Sequence, residues 1–138
     1  MLAVTSYNPG TATSTTTTST TFADVDSTNL TITFTVPASG NVLVCLEAVA
    51  VVDNGAANYW WNLRTTGGSD VSGTTRTVSA TPSMTRPTAT ILITGLTPSA
   101  SQTYRWGHAV SSNSGIIRYG DSGSSHYGAA VMEVIAAP

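Results

Sequence analysis

Lysine is absent from this chain, and five arginines with seven acidic residues are all the charge it carries, 9% of its 138 residues, where globular domains average roughly 25%. With a formal charge of −2, it offers no basic footprint for a phosphate backbone or an anionic membrane surface, so neither nucleic acid nor membrane is an expected partner. Cysteine occurs once, at Cys45, which excludes an internal disulfide and predicts a small apolar side chain in a core. Long apolar runs are missing too. The longest, Val42 to Val52, is about half of what a bilayer-spanning helix requires, and Met1-Leu2-Ala3-Val4 lacks the basic start of a secretory leader, so the expectation is a protein without membrane insertion or export signal. No stretch carries a convincing helical period.

What fills the vacancy is threonine and serine on a period of two. From Leu30 to Val36 apolar and hydroxyl residues alternate, Leu30, Ile32, Phe34 and Val36 against Thr31, Thr33 and Thr35, as in a half-buried strand. Pro37-Ala-Ser-Gly40 supplies a turn. Val42 to Val52 follows, apolar on its even face and, Glu47 apart, on its odd face. That predicts an antiparallel hairpin whose second arm is covered on both sides. Thr88–Thr94 and Thr103–Val110 form a second such pair around Gly95-Leu96-Thr97-Pro98, and Tyr104 beyond it suggests a tyrosine corner.

The remaining segments read as short strands and loops. Residues 11–21 are a Thr-rich tract, either an edge strand or an arm that orders against a neighbouring subunit, so 1–21 is set apart from a single domain at 22–138. Asp53-Asn-Gly55 is a turn. Residues 58–65, NYWWNLRT, form a strand with Trp60 on one side and Tyr59 with Trp61 on the other, which predicts core packing, subunit packing or a ligand platform on the second aromatic face. Thr74–Ala80 is a polar strand and Thr81–Pro87 a connector. Ile116–Tyr119 is a short strand, Gly120–Gly128 a Gly/Ser-rich loop, and Ala129–Ala136 the closing strand. Eight to ten short strands (about that many) without helix predict an all-β antiparallel β-sandwich of jelly-roll type.

No catalytic constellation survives inspection, and the expectation is a protein that is not an enzyme. Gly120-Asp121-Ser122-Gly123 reproduces the tetrapeptide around the nucleophile of trypsin-like proteases, but the only upstream histidine, His108, lies on a predicted strand close by. His108 and His126 have no cysteine or clustered carboxylate for a zinc site, Asp24 and Asp26 lack further carboxylates for calcium, and the Gly-rich loops lack the lysine of a phosphate cradle. No metal or cofactor is therefore expected. Glu47 and Glu133, on apolar strands, are expected to meet arginines at a subunit contact.

Three segments, LTITFTVPASGNVLVCLEA (30–48), ILITGLTPSASQTYRWGHA (91–109) and HYGAAVMEVIAA (126–137), resemble small β-rich domains of minor tail and other virion surface proteins of phages infecting actinobacteria. Those often carry a T-x-P-x-S-G-x-V-L-V hairpin and end in G-P-A-V-M-E-V; here Ala129 stands in place of the proline and Cys45 in place of a more usual polar residue. The outline is similar to trimeric TNF- or C1q-like jelly rolls. The resemblance implies a virion protein assembled in the host cytoplasm, a homotrimer bound to other virion proteins, with Leu43, Cys45, Glu47 and Val49 at the subunit interface. As a tail-tip or fibre domain it would contact the host envelope, including cell-wall glycan, through Tyr59, Trp61, Trp106, Tyr119 and Tyr127. A capsid decoration protein is the alternative, and a carbohydrate-binding module a further one.

Overall fold

A computed structural model describes residues 1–53, 57–79 and 82–138. Fourteen strands and no helix are found among them: β1 (Ala3–Tyr7), β2 (Thr13–Thr17), β3 (Ala23–Asp24), β4 (Thr31–Thr35), β5 (Val42–Glu47), β6 (Val49–Asp53), β7 (Tyr59–Arg64), β8 (Arg76–Ser79), β9 (Thr88–Ile93), β10 (Ser101–Val110), β11 (Ser114–Tyr119), β12 (Asp121–Ser122), β13 (Ser125–His126) and β14 (Ala130–Ala136). Among the described residues no helix is long and apolar enough to cross a membrane.

Several strands are halves of one lane. Only Ala48 separates β5 from β6. Their shared edge pairs with β14 at Glu47↔Val131 and with β11 at Val49↔Arg118. The opposite edge pairs with β9 at Glu47↔Thr88 and continues in register to the Ala50↔Thr85 bridge. On the outside, β1 pairs with β14 and β2 with β11. The front sheet therefore runs β1/β2, β14/β11, β5/β6, β9. The back sheet runs β3/β4, β10, β7, β8, with β4 and β3 sharing one edge of β10. Numbering the lanes along the chain gives orders 1-8-3-6 and 2-7-4-5, all antiparallel. A long hairpin pairing 1 with 8, 2 with 7, 3 with 6 and 4 with 5, then wrapped on itself, has that order, which makes the fold an all-β sandwich of jelly-roll type.

This topology corrects the two expected hairpins. β4 and β5 lie in opposite sheets, as do β9 and β10. The Pro37–Gly40 turn is present, closed by Gly40 N–H donating to Pro37 O at 3.0 Å, but it carries the chain across the sandwich. Leu96 N–H donates to Gly40 O, so the two crossings brace each other. A Cβ at Gly40, whose φ is +70°, would meet Leu96 O at 2.7 Å. The physical reason is burial: Ile32 and Phe34 can face Val42 and Val44 only across a gap of about 10 Å between sheets.

The even face of the ribbon, Val42, Val44, Leu46, Ala48, Ala50 and Val52, is fully buried. Its odd face is not; Leu43, Cys45, Glu47, Val49 and Val51 are all half-exposed, because the back sheet covers one side only. Cys45 is thus on the outer face and not in the core. On the inner face of the back sheet, Trp61 of β7 and Trp106 of neighbouring β10 pack edge to face at 4.6 Å. The expected tyrosine corner does not close: among the described residues the Tyr104 hydroxyl has no backbone partner, and its ring packs on Phe34. The Thr-rich tract supplies β2, an edge strand. Asn54 and Gly55 of the expected turn, and Ala80 and Thr81, lie outside the described residues.

Candidate functional site

Side-chain alternation decides which of the expected contact residues can meet a ligand. Tyr59, Trp61 and Trp106 are fully buried and Tyr119 nearly so, so four of the five rings expected at an exposed contact are core. Each stands at an inward position of its strand, where ring burial contributes most to stability. The Tyr119 hydroxyl is bonded to Thr15 Oγ1 at 3.1 Å. Tyr127 is the exception and remains half-exposed.

Tyr127 follows a feature the sequence conceals. Within the expected loop, β12 and β13 form a small hairpin with Asp121↔His126 and Ser122↔Ser125. It leaves the front sheet between β11 and β14, the two halves of lane eight. Gly120, at φ +86°, makes the exit; a side chain there would strike the carbonyls of Pro9 and Thr11. Asp121 pins the hairpin, accepting from Asn8 Nδ2 at 3.0 Å and from the Gly128 backbone N–H at 3.1 Å. These bonds hold its carboxyl below the usual range, the Asn8 amide contributing most. Ser122 Oγ accepts from Ala12 N–H at 3.2 Å. His126 lies 3.8 Å from Asp121 and is largely exposed, and among the described residues no hydroxyl bonds it. The protease-like tetrapeptide is therefore a structural clasp to the N-terminal loop.

Two hollows flank Tyr127. The first, about 470 Å³, is lined by Val49, Met84, Arg86 and His126 among others. The second, about 410 Å³, is lined by Thr13, Ser14, Arg118, Ser122, Ser125 and Tyr127. Arg86 is engaged at all three guanidinium nitrogens, donating to Glu47 at 2.6 Å and to the carbonyls of Tyr127 and Ala129 at 2.8 Å each. Glu47 therefore meets an arginine of its own chain. Arg118 differs. Its one side-chain bond among the described residues runs from Nη1 to the Tyr127 hydroxyl at 3.3 Å, with its guanidinium carbon 5.6 Å from the Tyr127 ring centre. No carboxylate pairs with it among the described residues. The alternation of SGIIRY, inward at Gly115, Ile117 and Tyr119, was the signal that could have placed Arg118 on the outer face.

The apolar half of that face carries the interface candidates. In register across three strands stand Ile135, Leu43 and Leu92, with Leu2 extending the row on the β1 side. Leu92 is 54% exposed, Val4 53% and Leu2 36%. The next row is Val4, Glu133, Cys45 and Thr90, where Glu133 has no cationic partner among the described residues. Leu43 and Cys45 thus belong to one continuous patch, while Glu47 and Val49 border the hairpin. On the back sheet, Asp24 accepts from Arg64 at 2.7 Å and Arg105 at 3.1 Å. Asp26 caps the following turn through Thr28 and Asn29 N–H, each at 2.9 Å. The carboxylates of the DVD segment are therefore occupied by protein groups.

No family model matches the chain, and no curated protein matches it. Among solved structures, the crystal structure of the infectious bursal disease virus VP2 subviral particle is similar at 11% identity and a TM-score of 0.35. The match covers 97% of this chain and 39% of that one. The jelly-roll assignment rests on the lane order alone.

Proposed function

We propose that the protein is a non-catalytic structural subunit of a bacteriophage virion surface, of tail-tip or fibre type, which assembles with two copies of itself through the outer face of the front sheet. The observation that carries this reading is the apolar row Leu2, Ile135, Leu43 and Leu92. A chain with so few charges places three of its exposed large apolar residues, Leu2, Val4 and Leu92, on that one sheet face. Contiguous apolar patches of that kind mark contacts between proteins. The jelly roll, widely used in virion shells and lectins, and the resemblance of residues 30–48, 91–109 and 126–137 to phage surface domains support the same reading.

Light scattering on the purified protein should give about three times 14.2 kDa. Leu92→Arg should reduce it to the single-chain mass without unfolding, since Leu92 is more than half exposed. A single-chain mass for the unaltered protein at high concentration would end the proposal. Burial of four candidate contact rings favours a second reading, capsid decoration, which needs no glycan platform. Copy number per virion separates the two, a few for a tail component and hundreds for a shell protein.

A further inference from the structure

The hollow beside Tyr127 holds a cation with unused bonding capacity among hydroxyl groups. Among the described residues Arg76 also lacks a carboxylate, but its donors go to the carbonyls of Thr90, Gly73 and Thr75. Arg64, Arg86 and Arg105 are each paired with carboxylates. Arg118 spends one donor on the Tyr127 phenol, and a guanidinium has five. Around it stand Thr13, Ser14, Ser122 and Ser125, with the Tyr127 ring as one wall. Asp121, the nearest carboxylate in sequence, is turned to Asn8 and Gly128.

We infer that this hollow binds an acidic saccharide, a sugar ring bearing a carboxylate or a phosphate group. Arg118 takes the anion through a forked pair of N–H donors, the geometry in which guanidinium meets carboxylate and phosphate best. The Tyr127 ring lies against the apolar face of the sugar, and the hydroxyls of Ser14, Ser122 and Ser125 exchange hydrogen bonds with its hydroxyls. The site extends the host-envelope reading by naming a ligand class, and it does not depend on self-association, because Arg118 and Tyr127 lie in one chain.

Amide chemical-shift titration of the full chain with glucuronate, glucose 6-phosphate, glucose and inorganic phosphate tests it. Expected are saturable shifts confined to Ser14, Arg118, Ser122, Ser125 and Tyr127 with either acidic sugar, and at least tenfold weaker binding of glucose. Preference between the two acidic sugars identifies the anion. Arg118→Gln should weaken binding tenfold or more, and Tyr127→Leu should bring glucose 6-phosphate down to the affinity of inorganic phosphate; both variants are checked for unchanged melting. Absence of site-confined shifts with every probe overturns the inference. So does an unaltered affinity in folded Arg118→Gln, or inorganic phosphate binding the unaltered protein as tightly as the sugar phosphate. A trimeric mass with no sugar binding would overturn this site while leaving the subunit proposal standing.

Discussion

Tyr59 and His108 meet in the interior, the phenol oxygen 2.8 Å from Nδ1 of the imidazole. They stand on neighbouring strands, and both are almost wholly shielded from water. Burial raises the phenol pKa above its ordinary value and lowers that of His108 to about 4. Both groups are therefore neutral at pH 7. The phenol and Nδ1 share one hydrogen bond, and the tautomer of the neutral imidazole sets which of them donates.

Stability should fall as the medium is acidified, beginning well above the carboxylate range. Unfolded, His108 titrates near its ordinary 6.5; folded, it resists protonation until about pH 4. Between those values the unfolded chain binds a proton that the folded chain refuses. The loss therefore accumulates from pH 6.5 down to pH 4 and reaches about 3 kcal/mol. Urea unfolding at intervals across that window checks it, and His108→Gln should flatten the slope. Below it, Asp26 and Asp121, whose carboxyls are held low, add their own acid loss. At pH 7, Tyr59→Phe should cost about 1–2 kcal/mol by stranding Nδ1.

Gly115→Ala should destabilise the protein by about 2 kcal/mol although its backbone is unstrained. A Cβ at position 115 would press into the Tyr59 ring, with Cζ at 3.0 Å and the adjoining ring carbons closer still. The ring must then shift and the bond to His108 loosen. Loss of near-ultraviolet circular dichroism with the far-ultraviolet spectrum retained would report that displacement.

Asp24→Ala should cost about 2 kcal/mol, less than a fully buried pair because the partners keep some contact with water. Asp24 receives both Arg64 and Arg105. Arg64 reaches it by passing over Gly107, where a Cβ would collide with the arginine stem and, closer still, with Asn62 Oδ1. Gly107→Ala should therefore lower the melting temperature as Asp24→Ala does, and the double variant should fall short of the sum.

Reactivity of Cys45 reads the state of the outer face. The thiol is half-exposed in the isolated chain and lies one row from Leu43 and Leu92. If copies cover that face, a thiol reagent should react slowly with the assembled protein. Leu92→Arg should raise the rate tenfold or more while the far-ultraviolet spectrum stays that of the folded protein. Equal rates in both would show the face open.

The local alternation of residues 30–36, 42–52, 88–94 and 103–110 determined strands and an antiparallel sandwich without helix, because a period of two is written in neighbouring residues. The ordering of lanes was not legible there. A four-residue turn such as Pro37–Gly40 serves a hairpin and a crossing between sheets equally well, and only the need to bury Ile32 and Phe34 against Val42 and Val44 selects the crossing. For the same reason Cys45, read as core, faces outward: a strand apolar on both sides does not state which side its own chain will cover. Tyr59, Trp61, Trp106 and Tyr119 turned inward once partner strands were in place. Arg118 and Tyr127, nine residues apart around a small hairpin, came together only when β12 and β13 paired, a contact that no repeat in the sequence encodes.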